Sequence, residues 1–282
     1  MSKESVSILV VGKPNSGKSG FFGQLYNRLE YSLEGNFAKL AKTPENKTAL
    51  DIVTSRYAEG KALEHTPVGD YNKIELAIKT PKNSLNLIYP DYGGEQINHL
   101  VENRRLSNNW HSAIQNSDEW ILFIRLNDLN KSYDPIQKFT KIVQNGEQKS
   151  KDELEEKLPS DQAYYIELIQ MLLFYKEVGF TTQISTPKLF VTLSCWDEIE
   201  NKDGKKPYEL LKEHLPLFYE FLVQNWKEAS LKIIGLSSQG KSLDKINGDN
   251  EYLFEEEGYV VNSNGEANYD LTSILKIVLD ED

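Results

Sequence analysis

Val6 to Val11 is apolar at every position but Ser7, and that pattern predicts a strand buried on both faces. A loop from Gly12 to Gly17 follows. Phe21, Phe22, Leu25 and Leu29 then recur at helical spacing, which predicts a helix from Ser19 to about Tyr31. Residues 32–71 are polar and irregular, far longer than an ordinary strand connection. Ile74, Leu76 and Ile78 alternate within a predicted strand from Tyr71 to Lys79. The turn Thr80-Pro81-Lys82-Asn83 leads into a second strand, Leu85 to Tyr89, so the two should form a hairpin. A helical stretch is expected from about Gln96 to Gln115, and Trp120 to Leu126 is a strongly apolar strand. Residues 128–160 are highly charged and read as an insertion. Ile166, Ile169, Leu172 and Leu173 mark an amphipathic helix, and Lys188 to Leu193 a strand. Leu211, Leu215, Phe218 and Leu222 mark another helix, with Pro216 an expected irregularity. Leu231 to Leu236 is a strand, and after an irregular acidic segment Asp270 is expected to cap a last helix carrying Ile274, Ile277 and Val278.

Strands alternating with helices imply an α/β fold: a mostly parallel six-stranded sheet, one antiparallel hairpin strand, and helices on both faces. Ligands of such sheets bind beyond the carboxyl ends of the strands. At 282 residues and 39% hydrophobic, the chain can bury one large core, so residues 1–282 are read as a single domain. Its additions are the 32–71 and 128–160 insertions and an acidic segment, 251–282.

Composition narrows the function. The longest apolar runs, such as Ile8 to Val11 and Ile121 to Ile124, are too short to cross a bilayer, and Met1 to Ser5 is polar with no signal-peptide pattern. A cytoplasmic protein without a transmembrane segment is expected. Cys195 stands alone, which excludes an internal disulfide or a cysteine metal cluster, and His65, His99, His111 and His214 are too scattered to suggest zinc. Most of the net charge of −11 lies in residues 251–282, which hold nine acids and one lysine and read as a solvated surface. An acidic chain disfavours general nucleic-acid binding.

Gly12-Lys13-Pro14-Asn15-Ser16-Gly17-Lys18-Ser19 fits G-x-x-x-x-G-K-[ST] completely, between a buried strand and an amphipathic helix. The glycines let the backbone curl so that N–H groups at Asn15, Ser16, Gly17 and Gly20 converge on phosphate oxygens at a helix N-terminus. Lys18 reaches the β- and γ-phosphates, and the Ser19 hydroxyl ligates Mg²⁺. The fold class is therefore a P-loop three-layer sandwich. Asp91-Tyr92-Gly93-Gly94 ends the second hairpin strand. A carboxylate there can hold Mg²⁺ through water, and the Gly94 N–H can meet a γ-phosphate.

Ser194-Cys195-Trp196-Asp197 ends one later strand, and Gly235-Leu236-Ser237-Ser238 ends the next. Asp197 could accept both the N1–H and the 2-amino group of guanine, a pair adenine lacks. Backbone N–H groups near Ser237 and Ser238 could bond the guanine carbonyl. Each segment also reads as an ordinary polar turn.

The order of these motifs resembles the Ras-like branch of P-loop GTPases: G-x-x-x-x-G-K-S, D-x-x-G, a counterpart of [NT]-K-x-D, and a counterpart of S-A-K, between residues 12 and 240. The phrases Tyr89-Pro90-Asp91-Tyr92-Gly93-Gly94-Glu95 and Leu193-Ser194-Cys195-Trp196-Asp197-Glu198 look like the bacterial double-GTPase group, whose members occur in conflict and phage-defence gene clusters. The resemblance implies GTP and GDP as ligands, Mg²⁺, slow GTP hydrolysis, and a switch acting on a protein partner. It implies a magnesium threonine in the first switch, for which Thr66 has the best spacing before Asp91, ahead of Thr43, Thr48 and Thr54. Glu95 stands where a water-orienting glutamine is usual and Gln96 follows, so either could orient water. Ser194 and Cys195 replace the usual Asn or Thr and Lys, and the lysine packing on the base is missing or replaced. Trp196 could shield the base or fill the core. A nucleotide-loaded adaptor without hydrolysis is a second reading, and a P-loop ATPase or kinase a third, which requires Asp197 to be incidental.

Overall fold

The structure is a computed structural model that describes residues 5–31, 36–45, 47, 50–51, 53–55, 72–91, 101, 103–129, 160–240 and 257–281. Strand β1 (Val6–Gly12) sits at the centre of the sheet, paired in parallel with β4 (Ser84–Asp91) and β5 (Glu119–Arg125). Period-two alternation explains why the buried stretch Ile8 to Val11 of β1 is wholly apolar. Ile8 and Val10 face one core and Leu9 and Val11 the other, so no position is left for a polar side chain. β6 (Lys188–Ser194) and β7 (Leu231–Ser237) continue the parallel run.

The full order is β2-β3-β4-β1-β5-β6-β7-β8-β9, so among the described residues the sheet has nine strands rather than the six expected. The additions are β2 (Lys39–Leu40), β8 (Tyr259–Val261) and β9 (Ala267–Asn268), each too short for alternation to register in a sequence. β2 pairs antiparallel with β3 (Asn72–Lys79), which forms the expected hairpin with β4; β8 and β9 make a second antiparallel margin against β7. A parallel centre is thus flanked by antiparallel edges.

Helix α1 (Lys18–Tyr31) and helix α6 (Ser273–Val278) cover one face, burying Phe21, Phe22, Leu25, Ile274 and Leu275 against Ile8, Val10, Ile121 and Phe123. Helices α2 (Asn108–Asn116), α3 (Asp161–Tyr175), α4 (Pro207–His214) and α5 (Pro216–Asn225) cover the other, with Trp110, Leu168, Leu172, Leu211 and Phe218 against Leu9, Val11, Leu122 and Ile124.

Three local expectations change. The helical stretch expected from about Gln96 to Gln115 is interrupted: Val101 and Asn103 are helical, residues 104–107 are not, Ser107 caps α2 through its side chain, and residues 92–100 lie outside the described residues. Pro216 divides one expected helix into two, because it takes the first helical position of α5, where its missing N–H costs nothing. Asp270 does not cap α6. That position is Thr272, and the Asp270 carboxylate accepts instead from the backbone N–H of Thr272 (2.9 Å) and of Phe37 (3.0 Å), tying the segment before β2 to the C-terminal region. Residues 56–71 and 130–159 of the two insertions lie outside the described residues. No described helix is long and apolar enough to cross a membrane.

Candidate functional site

The loop between β1 and α1 has little freedom in its side chains. A Cβ on Gly12 would lie 2.6 Å from the Phe123 carbonyl oxygen on β5, so only hydrogen fits where the loop leaves the sheet. Asn15 (φ 59°) and Gly17 (φ 81°) take left-handed conformations, and these bends curl the backbone around Lys18. Lys18 is buried, and its ammonium donates to the carbonyls of Gly12 (2.9 Å) and Lys13 (2.5 Å) and to Ser16 Oγ (3.0 Å). The loop is thus preformed around its own cation at the N-terminus of α1, a setting that favours anions. Gly20, two residues beyond Lys18, is also buried.

Ser19 Oγ lies 3.2 Å from the Tyr89 hydroxyl, and the Tyr89 ring is stacked on Phe22 at 4.8 Å. Asp91 is the last residue of β4. Register pairs Leu9 with Ile88, and three residues further along each strand stand Gly12 and Asp91. Asp91 therefore ends its strand beside the mouth of the loop. Thr66, Gly94, Glu95 and Gln96 lie outside the described residues. The donor set fits Mg²⁺: a hydroxyl and a carboxylate are hard oxygen ligands, and this ion takes few protein ligands when phosphates supply the rest. Among the described residues no group of three or more His, Cys, Asp or Glu forms a metal cluster.

The second half of the edge comes from β6 and β7. Asp197 Oδ1 accepts from Ser237 Oγ at 2.5 Å, and Ser237 Oγ accepts from the Gly240 N–H at 2.9 Å. The turn bearing Asp197 is braced from two sides. Lys202 Nζ donates to the carbonyls of Asp197 (2.9 Å) and Ile199 (3.1 Å), while Arg125 Nη2 donates to Glu198 Oε2 at 2.7 Å. Cys195 enters the turn in a left-handed conformation (φ 50°), and burial pushes its thiol up to about 12, so it stays protonated. A Cβ on Gly17 would lie 3.5 Å from Ser194 Cβ and 3.6 Å from Cys195 Sγ, so the two halves meet in one site. Ser194 is buried with its Oγ lacking a hydrogen-bond partner among the described residues.

Of the two readings open for Trp196, shield over a base or core residue, its position is the core one. It is 5% exposed and belongs to the core, with its ring so close to Gly235 that a Cβ there would lie 2.3 Å away. Ser238 lies just past β7, with its carbonyl close to Gly258. Sequence reasoning missed two neighbours of the site. Lys13 pairs with the buried carboxylate of Asp161 and lies 4.4 Å from the Tyr164 ring centroid; 148 positions separate the pair, and no local pattern signals it. Glu257 and Tyr259 come back against Ser237 only because β8 adds to the edge of β7.

Comparison with solved structures gives remote likenesses. A bacterial selenocysteine-specific elongation factor aligns at 12% identity and TM-score 0.39, over 88% of this chain and 30% of that one. The small GTPase Arl6 from Trypanosoma brucei, with bound GppNp, aligns at 12% identity and TM-score 0.39, over 86% of this chain and 92% of its own. The GTPase-like domain of Saccharomyces cerevisiae Ski7, bound to GTP, aligns at 15% identity and TM-score 0.37, over 88% and 47%. This chain therefore spans about a third of the elongation factor and nearly all of the small GTPase. No curated protein matches it in sequence. The model of the Double-GTPase 1 family matches residues 9–278, which is nearly the whole chain, and the chain belongs to that family.

Proposed function

We propose that this protein binds GTP with Mg²⁺, hydrolyses it slowly, and acts as a nucleotide-dependent switch on a protein partner, in the conflict or phage-defence setting that the double-GTPase resemblance implies. The observation that carries the reading is the contact of two differently equipped half-sites at one sheet edge. A cationic loop at Lys18 suits a polyphosphate, and an acceptor carboxylate at Asp197 suits the two adjacent donors of guanine.

In this reading Lys18 neutralises the β- and γ-phosphates, and N–H groups from Asn15 to Gly20 cradle them. Ser19 and Thr66, with Asp91 through water, would hold Mg²⁺, which would supply charge neutralisation to the phosphates. The Gly94 N–H senses the γ-phosphate, and Glu95 or Gln96 orients water. Ser237 and Ser238 border the base with Asp197. Slow turnover is expected because no arginine is placed by motif at the phosphates, and Arg125, at a neighbouring strand end, is engaged by Glu198.

The test is competition of GTP and ATP against a labelled GTP analogue, with phosphate release followed in parallel. GTP should displace the analogue far better than ATP, and turnover should fall well below the ~10 s⁻¹ typical of enzymes. Equal displacement by ATP would overturn the guanine assignment. Turnover at ordinary enzyme rates by the protein alone would overturn the switch, and binding without phosphate release would make it an adaptor.

A further inference from the structure

The C-terminal hairpin β8–β9 is built into the loop that carries Ser237. Register pairs Ser237 directly with Tyr259 in an antiparallel ladder, and such partners project to the same face of the sheet. Ser237 uses that face to reach Asp197 Oδ1. Tyr259 therefore stands next to the carboxylate proposed to read guanine.

The approach is close and held from several sides. A Cβ on Gly258 would lie 2.8 Å from the Ser238 carbonyl oxygen and 3.1 Å from that of Ser237, so the strand can enter here only through a glycine. Behind it, the Glu257 carbonyl accepts from Gln24 Nε2 at 2.9 Å and from Arg28 Nη2 at 3.2 Å, and Arg28 Nη2 also reaches the Tyr269 carbonyl at 3.2 Å. Gln24 and Arg28 are buried on α1, the helix that the phosphate loop opens. The hairpin is thus fastened to both halves of the site.

Its side chains suit a planar ligand. The rings of Tyr259 and Tyr269 lie 5.5 Å apart at 47°, with Tyr259 half-buried and Tyr269 exposed. Burial first, and then the charge of Asp197, push the Tyr259 phenol up to about 12, so it stays neutral beside the carboxylate. Cys195, where the resemblance places a lysine stem over the base, packs its sulfur toward Gly17 instead.

We infer that Tyr259 forms the outer wall of the base pocket, an aromatic specificity residue supplied by the C-terminal hairpin. The inference rests on the guanine reading of Asp197 and adds to it the surface against which the base is held. Its test separates base from phosphate. Affinities for GTP, ATP and inorganic triphosphate are measured on wild type, Tyr259→Ala and Tyr259→Phe, with thermal unfolding of each. Tyr259→Ala should lose about tenfold in GTP affinity, the lower range of what an aromatic platform contributes to a base, and less than about twofold for inorganic triphosphate, which has no base to stack. Tyr259→Phe, which keeps the ring, should bind GTP as wild type does. Unchanged GTP affinity in Tyr259→Ala, equal losses for GTP and inorganic triphosphate, or a Tyr259→Phe variant as weak as the alanine one would each overturn the assignment. Equal wild-type affinity for GTP and ATP would instead sink the guanine reading beneath it.

Discussion

The Lys13 ammonium, inside the phosphate loop, is paired with the carboxylate of Asp161, the first residue of α3. Asp161 is 3% exposed and Lys13 is 24% exposed, so the carboxylate is the partner that cannot regain water if the pair is broken. Removing one member of a buried pair strands the other, whereas removing both does not. Lys13→Met should therefore cost about 2 kcal/mol of stability, less than a fully buried pair because the lysine is partly solvated. Asp161→Asn should cost less, and the double variant should unfold close to Asp161→Asn alone. Urea unfolding of the four proteins gives the answer, and additive losses would mean that the two residues do not depend on each other.

Lys18 donates to three acceptors of the loop, at Gly12, Lys13 and Ser16. A triphosphate would take over those donors with charged oxygens, and hydrogen bonds between charged groups are stronger than bonds to carbonyls. Lys18→Ala should lower triphosphate affinity by at least about 100-fold, the equivalent of one or two charged hydrogen bonds, with little change in unfolding. A folded variant with wild-type affinity for a labelled triphosphate analogue would show that the loop does not bind phosphate through this residue.

How much of this was legible in the sequence follows physical lines. The central strands and the phosphate loop could be read because buried parallel strands are continuously apolar and because the loop motif is local: Ile8 to Val11 and Gly12 to Ser19 carry their own signal. The Ser237–Asp197 contact was anticipated only as two strand-end motifs, and the hydrogen bond between them is a tertiary fact. β2, β8 and β9 have too few residues to show a period, so the sheet reads three strands short. Asp270 carries the residue type of a helix cap but spends its carboxylate on Phe37 and Thr272, a long-range bond that no local rule sees. Trp196 was open between base and core, and the absence of a side chain at Gly235 gives its ring a place in the core.

At the opposite end of the sheet, burial pushes the Glu119 carboxyl up to about 7, with the Lys188 charge opposing the rise and Asp280 and Asp118 adding to it. The folded protein then holds a proton on Glu119 up to about pH 7, while the unfolded chain releases it near its ordinary value of 4.5. Where the folded state binds more protons, stability falls as pH rises. This group should therefore reduce stability progressively between about pH 4.5 and 7 and add no further slope above that. Glu119→Gln, neutral throughout, should remove the slope and be more stable than wild type at pH 8 by on the order of 1–3 kcal/mol. Parallel stability–pH curves for the two proteins would show that Glu119 ionises normally in the fold.

Asp197→Asn should exchange guanine preference for xanthine preference, and the Ser237 contact gives the reason. In the wild type Oδ1 accepts from Ser237 Oγ at 2.5 Å, so one edge of the carboxylate is held and the remaining acceptor capacity faces outward. An ionised carboxylate has acceptors only, which matches the N1–H and 2-amino donors of guanine and mismatches adenine. In the variant, Ser237 still needs an acceptor, and only the amide oxygen can serve. That selects the rotamer with the amide N–H₂ turned toward the base, where it meets the 2-amino group of guanine as donor against donor. The 2-oxo group of xanthosine triphosphate accepts from it instead. Sites built to satisfy such groups reject an unmatched analogue by up to ~10⁴-fold. A smaller factor, about 10² to 10³, is expected here, because the replacement of lysine by Cys195 alters the packing over the base. Affinities of wild type and variant for GTP, ATP and xanthosine triphosphate decide it: the ranking should invert between GTP and xanthosine triphosphate, and an unchanged ranking would reduce Asp197 to a turn residue held by Ser237.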